Sequence, residues 1–149
     1  MSTILENLKA VGDVSISLTK ADGSVENIDI HNKVVNTGLH VLVSRLKDTT
    51  DAAMTHMELG TGTTLAAGGD LTLQSAISAS RVSLTSTTVS GSTITYVASF
   101  PPLTGSGAVT EAGIFNASSG GTMLCRTVFP VVNKQDGDSM TVTWTITVS

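Results

Sequence analysis

Charge is scarce in this chain. Asp, Glu, Lys and Arg make up 13% of its 149 residues, about half of the ~25% usual in soluble domains. The eight Lys and Arg against twelve Asp and Glu are dispersed, so no basic stripe exists to neutralise a phosphate backbone, and a nucleic-acid partner is not expected. Aromatic residues are rarer still. One Trp and one Tyr are too few to floor a sugar cleft, which argues against glycoside hydrolysis and leaves a carbohydrate-binding adhesion domain as a further, less favoured alternative. A lone cysteine, Cys125, excludes an internal disulfide and suits synthesis in a reducing cytoplasm. No run of 18 apolar residues occurs: Leu71–Thr110, whose only charge is Arg81, is interrupted by Ser, Thr, Gly91 and Pro101–Pro102. No membrane partner is expected from such a segment. Glu6 and Lys9 stand where a signal peptide needs its apolar stretch, so export by that route is not expected either.

Hydroxyls take the place of the missing charges, with 23 Thr and 18 Ser. Threonine favours strands, and its abundance argues for a β-rich domain and against disorder. At this length one domain buries roughly 70% of its unfolded surface, enough to fold without a metal or disulfide.

The local pattern agrees. Met140, Val142, Trp144, Ile146 and Val148 alternate with Thr141, Thr143, Thr145 and Thr147, a strand with one buried face. Similar alternation marks Val14–Leu18, Ile94–Phe100 and Met123–Phe129, and hairpins are expected around Ala21–Ser24 and Ser90–Ser92. One helix is predicted over about 38–47, with Thr37 as N-cap, Leu39, Leu42, Val43 and Leu46 as its buried face, and Arg45 and Lys47 in its last turn. Leu71–Ala79 reads as a second short helix or an irregular segment. The expected fold is mainly β: an antiparallel sandwich or small barrel of seven to eight strands, spanning 12–149 as a single domain. Residues 1–11 read as a separate arm or short helix. Thr3 and Glu6 have capping-box spacing, and Ile4, Leu5, Leu8 and Val11 form an apolar stripe. So short a helix needs a surface to dock on, either its own core or another chain.

Candidate chemistry is thin. Gly60-Thr61-Gly62-Thr63-Thr64 lacks the Lys-Ser/Thr of a phosphate loop and reads as a tight structural loop. His31, His40 and His56 have no ligand spacing, so no metal and no cofactor are expected. Cys125 sits on the apolar side of its strand and reads as an inert thiol. Gly-x-Ser-x-Gly is absent, and no catalytic residue is assigned. Asn116-Ala117-Ser118 fits a glycosylation sequon, which carries little meaning without a secretory signal. Two charges do look placed, Glu111 and Arg126, which adjacent strands would bring together as a structural ion pair.

Four segments in order carry a resemblance: Met57–Thr64 with Leu-Gly-Thr-Gly-Thr, Arg81, Val109–Phe115 reading Thr-Glu-Ala-Gly-Ile-Phe, and the pair Met123–Phe129 with Met140–Val148. In this the chain resembles a group of small tailed-bacteriophage virion proteins that includes head decoration, or capsid cement, proteins. Related domains stand at the attachment ends of tail or collar fibres. The likeness runs from Asn32 to Ser149 and implies a non-enzymatic virion protein. Read as a stand-alone module with no fibre region after Ser149, it implies a cement protein on the capsid surface. Its partners would then be the major capsid protein and itself, as a homotrimer, with a tail, collar or baseplate adaptor as the alternative. The capsid contact is expected on the arm, through Ile4, Leu5, Leu8 and Val11.

Overall fold

The computed structural model describes residues 9–149. Ten strands and one helix follow in order: β1 (Ala10–Thr19), β2 (Val25–His31), β3 (Lys33–Val34), α1 (Asn36–Ser44), β4 (His56–Gly60), β5 (Val82–Ser83), β6 (Ser86–Ser90), β7 (Thr93–Phe100), β8 (Gly107–Phe115), β9 (Met123–Lys134) and β10 (Ser139–Val148). They form two five-stranded antiparallel sheets, β2-β1-β10-β7-β6 and β3-β9-β8-β4-β5. The fold is therefore a β-sandwich. It has ten strands instead of seven or eight, partly because the run from Val82 to Val89 breaks in two. Leu84 and Thr85 carry the chain from the second sheet to the first, so β5 and β6 pair with different partners.

Alternation fixes which face of each strand is buried. Val14, Ile16 and Leu18 of β1, Tyr96, Ala98 and Phe100 of β7, and Met140, Val142, Trp144 and Ile146 of β10 meet Met57, Leu59, Ala112, Ile114, Cys125 and Phe129 of the second sheet in one core. The opposite face of the first sheet is hydroxylated. Thr141, Thr143, Thr145 and Thr147 lie half-buried between Ser15, Ser17 and the β7 threonines, and Thr95 and Thr145 approach Oγ1 to Oγ1 at 3.4 Å. At the β6–β7 hairpin a two-residue turn begins with Gly91 at φ +58°, the conformation a type II′ turn requires there.

The segment 1–11 expected as a separate arm or short helix overlaps the first strand. Ala10 and Val11 already belong to β1, paired with Val148 and Thr147, and Val11 is on the exposed face. Ile4, Leu5 and Leu8 lie outside the described residues. The helix is also displaced: it runs Asn36–Ser44, Val35 occupies its N-cap position without a side-chain cap, and Arg45 is the C-cap. Thr37, the expected cap, instead donates its hydroxyl to the Met123 carbonyl at 2.9 Å. The buried face differs as well. Gly38 and Val41 turn inward, whereas Leu39, Val43 and Leu46 are 42, 65 and 89% exposed. The cause is how closely α1 approaches β9: a Cβ on Gly38 would stand 2.0 Å from the Leu124 carbonyl oxygen, so only glycine lets the helix sit there.

That contact sets two effects in opposition. Ala exceeds Gly in helix propensity by about 1 kcal/mol, but forcing a methyl into a filled site costs ~1–3 kcal/mol. Because the obstruction is backbone, packing wins, and Gly38→Ala should lower the urea midpoint; an unchanged or raised midpoint would show that α1 moves freely off β9.

Candidate functional site

The outer face of the second sheet is where the chain concentrates its buried charge. Gly60, Glu111 and Val128 lie in one cross-strand row, and Glu58, Gly113 and Arg126 in the next. A layer made by residues 61–80 closes over them. Its backbone is zipped to β4 by an isolated bridge between Gly60 and Ala76 and by Ile77 N–H donating to the Leu59 carbonyl, and within the layer Thr61 N–H donates to the Ser75 carbonyl. Ser80 donates its hydroxyl to that same carbonyl and accepts from the Leu59 N–H. With its donors committed in this way, 71–79 is irregular and not helical. Beneath it Leu73 joins Val35, Phe115 and Met123 in a second, smaller core.

Glu111 and Arg126 are brought together. The Arg126 Nε donates to Glu111 Oε1 at 2.9 Å, with the side chains 2% and 0% exposed. They are diagonal neighbours, because Glu111 stands opposite Val128 and Arg126 opposite Gly113. The pair is also part of something larger than two residues. Glu111 Oε2 accepts from the N–H groups of Gly62 and Ser75, each at 2.7 Å, and Oε1 accepts from Gln74 N–H at 2.9 Å. Arg126 reaches on to Asp70 Oδ2 and to the Thr64 carbonyl, both at 3.0 Å. Thr110 donates its hydroxyl to the Gly62 carbonyl at 2.7 Å. The Gly60–Thr64 loop is thus a structural loop folded around a carboxylate, and Cβ atoms on Gly60 or Gly62 would stand 2.6 or 2.3 Å from Glu111 side-chain atoms.

A second cluster adjoins it. Arg81 Nε and Nη2 donate to both carboxylate oxygens of Glu58, at 3.3 and 3.2 Å. Its Nη1 donates to the carbonyls of Ala117 and Gly120, and its guanidinium lies 3.7 Å over the Phe115 ring. A planar cation suits this site, since it can stack and bind bidentately at once. Glu58, Asp70 and the covering layer have no local sequence signature; spacing alone does not reveal which backbone N–H groups a carboxylate will collect.

The remaining candidates stay apart. His31 hydrogen-bonds Asp13 on the outer face of the first sheet, His40 lies on α1, and His56 on β4 faces Thr55 and Ser83. Among the described residues no group of three or more His, Cys, Asp or Glu is placed to hold a metal ion. Cys125 is wholly buried, and burial pushes its thiol well above the ordinary range. Asn116 uses its side chain to close a turn, accepting from Thr122 N–H at 2.7 Å. Lys134, not singled out by pattern, is 2% exposed and donates to the Pro101 carbonyl at 3.0 Å; burial lowers its pKa.

What the Glu111 cluster can do is hold the structure. Burial by itself would raise the Glu111 pKa, but the N–H groups of Ser75 and Gln74, then Arg126 and Gly62, outweigh it and hold the carboxyl below its ordinary 4.5. A group whose pKa is lower folded than unfolded adds stability above its unfolded pKa and loses it as pH falls through the folded one. Glu111→Gln should therefore destabilise by ~3–5 kcal/mol, the usual cost of stranding a buried partner charge. It should also flatten the acid limb of the stability–pH curve below about pH 4.5. Equal acid sensitivity in the wild type and the variant would show that Glu111 does not carry the linkage. Comparisons with protein-family models, with curated proteins and with solved structures find no match to this chain.

Proposed function

We propose that this chain is a bacteriophage virion structural protein of the capsid-cement type. It binds the outside of the major capsid shell, bridges neighbouring subunits and opposes the outward pressure of packaged DNA. One observation carries the reading. Segments that bear the resemblance, far apart in sequence, meet in a single unit: Glu111 holds Gly62, Arg126 binds Glu111, and Arg81 stacks on Phe115. That they converge in one structural unit of this chain supports reading the segments together.

The hydroxylated face of the first sheet supports the same reading. Threonine and serine can be buried against a neighbour through hydrogen bonds, without desolvating an ion, which suits close packing on a crowded shell. The work is done by contact and not by turnover. Each copy contributes modestly, and repeated contacts across the shell supply avidity. In this reading the capsid contact is made by the N-terminal segment, whose apolar residues are Ile4, Leu5, Leu8 and Val11 and which would meet a groove or sheet edge of the shell.

Antibody labelling of purified virions tests the location: signal is expected over the whole head. Signal confined to the tail would replace this reading with that of a tail or collar adaptor, and particles without the protein would refute both. The arm is tested separately by removing residues 2–8, which spares the Lys9–Ser149 backbone pairing. The shortened protein should keep its circular-dichroism spectrum and lose binding to expanded heads; undiminished binding would take the arm out of the mechanism.

A further inference from the structure

The four sheet edges are not alike. In the second sheet, β3 and β5 are two residues long, too short to template another strand. In the first, β2 carries Glu26, Asp29 and His31, and the acidic pair would meet its like in a second copy. The remaining edge is β6, Ser-Thr-Thr-Val-Ser, exposed at all five positions and bonded only to β7 among the described strands. Native sheets shield their edges with charge, proline, bulges or a covering element. β6 has no charged residue, no proline and an unbroken register with β7.

Its surroundings are apolar. Val89 stands opposite Ile94, on the core-facing side of the sheet, yet is 70% exposed, none of the described residues covering it. A groove between this edge and α1 is lined by Val41, Leu42, Arg45, Thr87, Ile94 and Tyr96. Leu39 and Val43 of α1, and Leu46 just after it, add exposed apolar surface to this part of the molecule.

We propose that β6 pairs antiparallel, about a two-fold axis, with β6 of a second copy of this chain. Centred on Thr88, the register sets Thr88 opposite its equivalent, Thr87 opposite Val89 and Ser86 opposite Ser90. No like charges meet. Odd and even positions keep their faces, so the hydroxylated outer surface continues across the axis and Val89 gains cover on the inner side. The contact is isologous and closes on two chains. Pairing β6 with β2 of a neighbour would instead bring the acidic side chains of β2 to an edge with no basic residue. Five backbone-paired residues fall short of the ~1,200 Å² of a stable interface. The groove and the α1 stripe supply the remaining apolar surface, and the dimer is concentration-dependent. The inference stands apart from the virion reading; a trimer would need a different surface and differs in mass.

Sedimentation velocity on the full chain over a range of concentrations should show a monomer–dimer equilibrium. Thr88→Lys sets two ammonium groups against each other at the axis and should raise the dimer Kd by about tenfold or more. Circular dichroism and the Tm should hold, since Thr88 is exposed. Asn27→Lys, on the β2 edge, should leave the dimer intact. Oxidised Thr88→Cys should give a covalent dimer, the native Cys125 being buried. A monomer at every concentration, a trimer, a dimer indifferent to Thr88→Lys, or one dissociated by Asn27→Lys would each overturn the proposal.

Discussion

With no exposure to water, the Glu111 carboxylate must find its partners inside the protein, and four donors converge on it. Three are backbone N–H groups from the layer that covers the second sheet. The fourth is Arg126, which continues to Asp70 and Thr64 in the same layer. Such a carboxylate acts as a template: the loop at Gly62 and the segment at Gln74–Ser75 take the shape that satisfies it, because an unpaired buried charge costs far more than the ordering of a few residues. The glycines at 60 and 62 follow from this, since a side chain at either would occupy the space of the carboxylate.

The second sheet is consequently covered on both sides. Its inner face joins the main core with Trp144, Phe100 and Ile16, and its outer face bears the small core of Val35, Leu73, Phe115 and Met123. The first sheet has only one apolar face, and its other face is rich in Ser and Thr along β10, β7 and β6. This asymmetry accounts for the composition. A chain that needs few ions to stay folded keeps its strong ones, Glu111–Arg126 and Glu58–Arg81, around the covering layer, and fills the open sheet with β-branched hydroxyl residues that serve both strand formation and hydrogen bonding. The scarcity of charge therefore belongs to the surface, where it leaves β6 without protection.

Much of the fold is legible in local pattern. The alternation in β10 and β7 states which side chains point inward, and the residue types at Glu111 and Arg126 indicate a cross-strand pair. Other features elude pattern because their causes are distant. Leu39, Leu42, Val43 and Leu46 have helical spacing, yet most of that stripe is exposed: Gly38 abuts the Leu124 backbone, and this contact sets the rotation of α1. Thr37 resembles a cap but is drawn to Met123, across 86 residues of chain. The apolar spacing in Leu71–Ala79 leaves a short helix and an irregular segment both open, and the structure takes the irregular one because its backbone donors are claimed by Glu111 and β4.

By itself, then, the sequence determined the sandwich class, the inward and outward faces of the long strands and the presence of one helix, because these depend on a period of two or of 3.6 residues read over a few neighbours. The tertiary structure alone decided the rest: which edges stay open, how α1 is turned, where the chain crosses between sheets at Leu84–Thr85, and which N–H groups gather on Glu111. Each of these depends on groups tens of residues apart coming within about 3 Å of one another, and no local repeat records that.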